Sequence, residues 1–260
     1  MQIQNPKLSI IMPCSPIISH PSTEIIEESI RRIRAYPELK DVEILICCDG
    51  IRAEQEHYRE NYEEYKRRLI DLCKFDSDFK GCLPIIFQEH YHQVKMLTEA
   101  LKMVKTPLIF FVEADTFPIR EIDFSSIINS FEDPRVNYIR LSIFDHILGE
   151  HSHLYFGELE SIQGCPLLKT SQFSARPNIA RKEWYEKLIE EYFDGDCICF
   201  VEDIIDPQAQ ISIRDSTKPF DYWGMYLYHP DTKDITRSAT NNGRGSESKY
   251  FQRFPNKVDK

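Results

Sequence analysis

The run Leu108-Ile109-Phe110-Phe111-Val112-Glu113-Ala114-Asp115-Thr116-Phe117-Pro118 decides how this chain reads, because five apolar residues end abruptly in two carboxylates one residue apart. A short apolar run with aromatic and β-branched members predicts a buried strand, and its acids then stand at the carboxyl end, where open α/β sheets bind ligands. If the chain stays extended, a spacing of two points Glu113 and Asp115 the same way. They then offer hard oxygen ligands for Mg2+ or Mn2+ and a route to a diphosphate. The other local reading is a strand end followed by an acidic turn.

Upstream, strand-like and helix-like patterns alternate, the signature of a mixed, mainly parallel α/β sheet flanked by helices. Strands are predicted over 8–12, stopped by Pro13, over 42–48, closing on Asp49-Gly50, and over 84–88. Pro21-Ser22-Thr23 starts a helix with Ile26, Ile30 and Ile33 on one face, and Val94, Leu97, Leu101 and Val104 recur at helical spacing. The charged stretch 53–73 reads as a solvated helix without chemistry. Four strand ends thus gather at one edge. Downstream, a helix is predicted over 124–131, a strand over 137–142, an irregular stretch over 144–165 that shapes a second surface, a helix over 181–193 and a strand over 223–228.

The chain has 260 residues and a formal charge of −10, which argues against a nucleic-acid coat or a basic membrane-docking face. No apolar run approaches the roughly 20 residues that span a bilayer, and the first residues lack an apolar signal core. A soluble, cytoplasmic protein is expected. The eight cysteines are too dispersed for a disulfide miniprotein. Cys47, Cys48 and Cys199 lie in apolar runs as buried thiols do, and Cys197-x-Cys199 lacks the second pair of a zinc site.

Several other residues carry chemistry. Asp49, at a strand end, accepts a hydrogen bond from a base or ribose in one reading and forms an Asp-Gly turn in the other. His229 leaves a strand before Pro230 with an imidazole able to complete a metal shell. Arg237, Arg244 and Lys249, set among Gly243 and Gly245, suit a basic loop that closes over phosphates, or an ordinary solvated tail. Glu202-Asp203 follows the apolar run 198–201. One of these acids can act as general base toward an acceptor hydroxyl, and both suit a helix N-terminus.

With these residues assembled, the chain resembles nucleotide-sugar glycosyltransferases of the GT-A fold, of the family 2 type. Val112-Glu113-Ala114-Asp115-Thr116 looks like the DxD element with Glu in place of the first Asp, and Phe200-Val201-Glu202-Asp203 looks like the ED motif whose Asp is the base in inverting members. A closer likeness is to a bacterial and large-DNA-virus group that includes the N-terminal domain of a chlorella-virus rhamnosyltransferase. It rests on six ordered elements: residues 111–116, 150–154 and 170–177, Glu202-Asp203, Tyr228-His229-Pro230 and Gly243-Arg244. The resemblance implies one GT-A domain over 1–260, with a nucleotide-binding half 1–118, an acceptor and catalytic half 119–229 and a closing tail 230–260.

The activity so implied is metal-dependent, inverting transfer from a nucleoside diphosphate sugar, a UDP-sugar first, to a glycan hydroxyl, with Mn2+ or Mg2+. In it Asp203, with Glu202, is catalytic; Asp115, His229 and Glu113 hold the metal; Pro13, Ser15, Asp49, Glu113, Arg237 and Arg244 bind the nucleotide; and Gln172, Ser174 and Arg176 meet the sugar or acceptor. Glu113 is longer than Asp by a methylene, which favours Asp115 as the direct ligand. Residues 238–242 depart from the His-Leu-Asp type sequence of the relatives. The rivals are a catalytically degenerate binding module and, fitting less well, a haloacid-dehalogenase phosphatase, for which Glu113 occupies the nucleophile position and Phe117 replaces the final Thr. A sugar-phosphate nucleotidyltransferase lacks its Gly-rich phosphate loop here.

Overall fold

Alternation within apolar strands builds the core. A computed structural model describes residues 7–118, 121–141, 149–194, 197–230 and 236–238, with backbone alone at 149–150 and 236–238. In it β1 (Leu8–Cys14), β2 (Ile44–Cys48), β3 (Cys82–Ile86) and β4 (Leu108–Phe111) lie parallel in the order β3-β2-β1-β4. Successive side chains of a strand point to opposite faces. Leu8, Ile10 and Met12, with Ile44, Ile46 and Phe110, therefore enter one apolar layer, while Ile11, Leu45, Cys47, Ile109 and Phe111 enter the other. Strands buried on both faces read as unbroken apolar runs.

Helices α1 (Glu24–Arg34), α2 (Arg59–Phe75) and α4 (Phe124–Ser130) cover the first face, and α3 (His92–Met103), α5 (Lys182–Tyr192) and α6 (Val201–Arg214) the second. Beyond β4 the sheet runs on through β9 (Asn178–Arg181), β6 (Tyr138–Arg140), β10 (Met225–Tyr228), β8 (Cys165–Thr170) and β7 (Tyr155–Ile162), nine strands among the described residues. A separate ribbon pairs β5 (Thr116–Pro118) with β11 (Thr236–Ser238). The mixed, helix-flanked sheet expected from the sequence is the one found. Its parallel part holds β1 to β4, with β6 and β10 parallel to each other, whereas β9 runs antiparallel to both β4 and β6.

Four local expectations are corrected. β1 continues through Pro13, whose carbonyl accepts from Ala114 N at 3.1 Å; β4 has already ended on that side, so the missing proline N–H forfeits no ladder bond. The stretch 144–165 is not irregular throughout: its last part is β7, joined to β8 by a tight turn with Gln163 and Gly164 at φ of 52° and 82°. β9, unforeseen, inserts Arg181, whose guanidinium ties Val136 O at 2.9 Å and Phe131 O at 2.6 Å. α2 is amphipathic rather than solvated all round, with Tyr62, Tyr65 and Leu69 buried. Among the described residues no helix is long and apolar enough to cross a membrane.

Candidate active site

A cavity of about 1060 Å³ opens at the carboxyl ends of β1, β2 and β4. Its walls come from the loops that leave those strands, the place where side chains of an α/β sheet converge on a ligand. Pro13, Ser15, Asp49, Glu113, Asp115, Arg176 and Glu202 all line it. The structure thus brings together residues far apart in sequence from both halves of the chain.

Glu113 and Asp115 do not continue the strand. β4 ends at Phe111, Val112 N still reaches Ile11 O at 3.1 Å, and Thr116 N then bonds Glu113 O at 2.9 Å, so the acids sit in a turn. The acidic-turn reading of the local sequence therefore holds together with a place in the cavity. Ser29 on α1 donates its hydroxyl to Ala114 O at 2.7 Å and anchors the turn from below. Arg32 packs over the Phe117 ring at 4.7 Å and fixes β5 to the same helix.

Burial, reinforced by the charges of Asp115 and Glu202 and eased only in part by Arg176, pushes the Glu113 carboxyl up to about 8. Glu113 and Asp115 share the cavity with Glu202, with Arg52 and Arg176 as the cations of the wall, and hard carboxylate oxygens suit Mn2+ or Mg2+. The residues fit a divalent cation. His229 follows β10 and does not line the cavity, its backbone N–H donating to Pro166 O at 3.0 Å. Among the described residues no three His, Cys, Asp or Glu side chains converge into a closed metal cage.

Asp49 is 2 % exposed and heavily engaged. Oδ1 accepts from Gly50 N at 2.8 Å and Tyr91 N at 2.7 Å, Oδ2 accepts from His92 N at 3.2 Å, and His90 Nδ1 approaches Oδ2 to 2.8 Å. A carboxylate has about four lone-pair sites, so little of Asp49 remains for a base or ribose. Its turn-forming role is the one the geometry displays, extended to a clamp between the ends of β2 and β3.

The adjacent acids Glu202 and Asp203 separate. Both lie in the first turn of α6, favoured there by the helix dipole. Glu202 enters the cavity and accepts from Ser174 Oγ at 3.1 Å and Ala175 N at 3.0 Å. Asp203 is exposed and lies outside the cavity wall, its Oδ2 3.4 Å from the backbone N–H of Phe200, which does line the wall. Ser174 is therefore a support for Glu202 and is itself buried away from the cavity. Gln172 also lies off the wall, its Oε1 receiving Arg140 Nη1 at 2.9 Å and the Tyr155 hydroxyl at 3.0 Å. Arg237 is described by its backbone alone, in β11, and Arg244 and Lys249 lie outside the described residues.

Sequence reasoning missed His20, Tyr65, His90, His92, Gln93 and Phe200, all on the wall. His20 stacks on Tyr65 with centroids 3.9 Å apart, and burial lowers its imidazole to about 3. Burial also lowers His92, whose ring meets Phe200 edge-on at 4.4 Å. Gln93 Oε1 accepts from Val201 N at 3.0 Å, joining the starts of α3 and α6. The run Glu89-His90-Tyr91-His92 offered a signal, since it follows a parallel strand at the ligand edge. Cys199 is corrected from buried thiol to disulfide partner of Cys197, with Cα atoms 5.9 Å apart.

No family model matches this sequence, and no curated protein matches it. Solved structures do. GalNAc-T7 with UDP, GalNAc and Mn2+ superposes with a TM-score of 0.57 at 9% identity over 89% of this chain and 43% of that one. S. aureus TarS 1-349 in complex with UDP-GlcNAc gives 0.55 at 11% identity over 89% and 58%. The mannosyltransferase PcManGT from Pyrobaculum calidifontis, with GDP-Man and Mn2+, gives 0.51 at 14% identity over 88% and 58%. The fold is GT-A. This chain spans roughly half the length of those GT-A neighbours, between 43% and 58%.

Proposed function

We propose that this protein transfers a sugar from a nucleoside diphosphate sugar, a UDP-sugar first, to a hydroxyl of a glycan acceptor, with inversion at the anomeric carbon. The observation that carries the reading is a cavity at the carboxyl edge of the sheet that holds Glu113, Asp115, Glu202 and Arg176 together. The nucleotide sugars and Mn2+ of the GT-A neighbours support it, as does the resemblance of six ordered sequence elements to the bacterial and viral group.

Asp115, with Glu113, would hold Mn2+ or Mg2+, which when bound supplies positive charge to the departing diphosphate. Glu202 is already committed to Ser174 and Ala175, so it positions the loop 174–176 and keeps Arg176 at the cavity. Asp203, exposed beside Phe200, meets an incoming acceptor from solvent and takes its proton as the hydroxyl oxygen attacks the anomeric carbon. The bond from that carbon to the diphosphate oxygen breaks, its electron pair leaving with the diphosphate. Arg237 and Arg244 of the tail neutralise the leaving group.

Incubation with a panel of nucleotide sugars, with Mn2+ or EDTA, tests this through diphosphate release. Release from one donor, lost in EDTA and in Asp115→Ala, is expected. Asp203→Asn should lower kcat by about 100-fold or more while still binding nucleotide, with Glu202→Gln less damaged. The reverse order of damage would move the base to Glu202. The position of Asp203 off the cavity wall favours one alternative, a degenerate binding module, which would bind UDP and release nothing.

A further inference from the structure

Phe200 stands on the cavity wall as the residue immediately before α6, and it is 45 % exposed. A single exposed apolar side chain is ordinary. What sets this one apart is how firmly its backbone and ring are held. Cys199 O accepts from Val94 N at 3.3 Å, Val201 N donates to Gln93 at 3.0 Å, and the Cys197–Cys199 disulfide closes the chain just before it. His92 props the ring edge-on, the two planes inclined at 76°. The backbone N–H of Phe200 lies 3.4 Å from Asp203 Oδ2. Ile18, 58 % exposed, is another apolar residue that lines the same cavity.

We propose that Phe200 is the acceptor platform: its ring receives the C–H face of a neutral pyranoside and so turns one acceptor hydroxyl toward Asp203. This assignment rests on the glycosyltransferase reading above. Pyranose C–H bonds are polarised by neighbouring oxygens and carry partial positive charge, which suits the negative face of an aromatic ring. Glu113, Asp115, Glu202 and Asp49 stand on this cavity and Asp203 beside it, so acids outnumber the two cations of the wall, Arg52 and Arg176. A phosphorylated or carboxylated acceptor would meet like charge there, whereas a neutral glycoside would not. The platform selects by shape and C–H contact, leaving hydroxyls outward for the base.

The test uses methyl glycosides of common hexoses and 6-deoxyhexoses as acceptors, because they carry no aryl group of their own. Diphosphate release from the best donor is measured with Mn2+, with and without each glycoside, in the parent, Phe200→Ala and Phe200→Trp. At least one neutral methyl glycoside raises release above the hydrolysis blank in the parent. In Phe200→Ala its KM rises about 3- to 10-fold, more than the donor KM, and Phe200→Trp restores it. Equal changes in both KM values, no change in either, or a preference for a hexose 6-phosphate over its neutral parent overturns the assignment. Donor hydrolysis that no methyl glycoside stimulates overturns it too, leaving the transferase fold reading intact. No diphosphate release from any donor in the parent overturns both.

Discussion

Glu202 and Asp203 are neighbours in sequence and opposite in surroundings, because adjacent residues on a helix point about 100° apart. One turns into the cavity and takes two hydrogen bonds; the other stays in solvent at its edge. Sequence could name the pair, but only the phase of α6 separates their roles. His20 shows the converse, a cavity-wall residue with no legible pattern, since its stacking partner Tyr65 lies 45 positions away on α2. Its lowered imidazole also makes a stability statement. With a folded value near 3 against 6.5 unfolded, the unfolded chain binds the extra proton between those limits, so stability is complete above pH 6.5 and is lost as pH falls. Urea unfolding at pH 7.5, 5.5 and 4.5 should show a loss of up to about 1.4 kcal/mol per pH unit that His20→Phe removes. Parallel pH profiles for parent and variant would contradict this.

At the scale of elements, the parallel strands and their helices were legible because burial on both faces leaves dense apolar runs, and helical spacing repeats over several turns. The carboxylates at the end of β4 were legible for the same reason. β7 and β9 were not: β7 is an edge strand carrying Glu158 and Glu160, and β9 has four residues between a proline and a helix, too few for a period to emerge. Nor could spacing show the clamp that Asp49 forms with the loop after β3. That clamp needs Gly50, since a Cβ there would lie 2.2 Å from Glu89 C and 2.6 Å from His90 N, both backbone atoms. Gly50→Ala should therefore destabilise by about 1–3 kcal/mol, the usual cost of overpacking, and lower Tm by several degrees. A Tm within about 1 °C of the parent would show that the two loops part easily.

For the whole molecule, a net charge of −10 and an acid-lined cavity pose a problem for any diphosphate ligand. The sheet solves the placement, gathering the ends of β1, β2 and β4 at one edge, and under the proposed function a bound cation would meet the charge. The fold was legible from the alternation of elements in the first half, while the order in which β9, β6 and β10 extend the sheet beyond β4 rests on pairings that spacing does not show. The account is tested most directly by calorimetric titration of UDP into the parent protein and Asp115→Ala, each with Mn2+ and with EDTA. Binding by the parent in Mn2+, weakened about tenfold or more by EDTA or by Asp115→Ala, is the predicted result, since like charges at the cavity are then unscreened. UDP affinity indifferent to the cation, or no nucleotide binding at all, would contradict it.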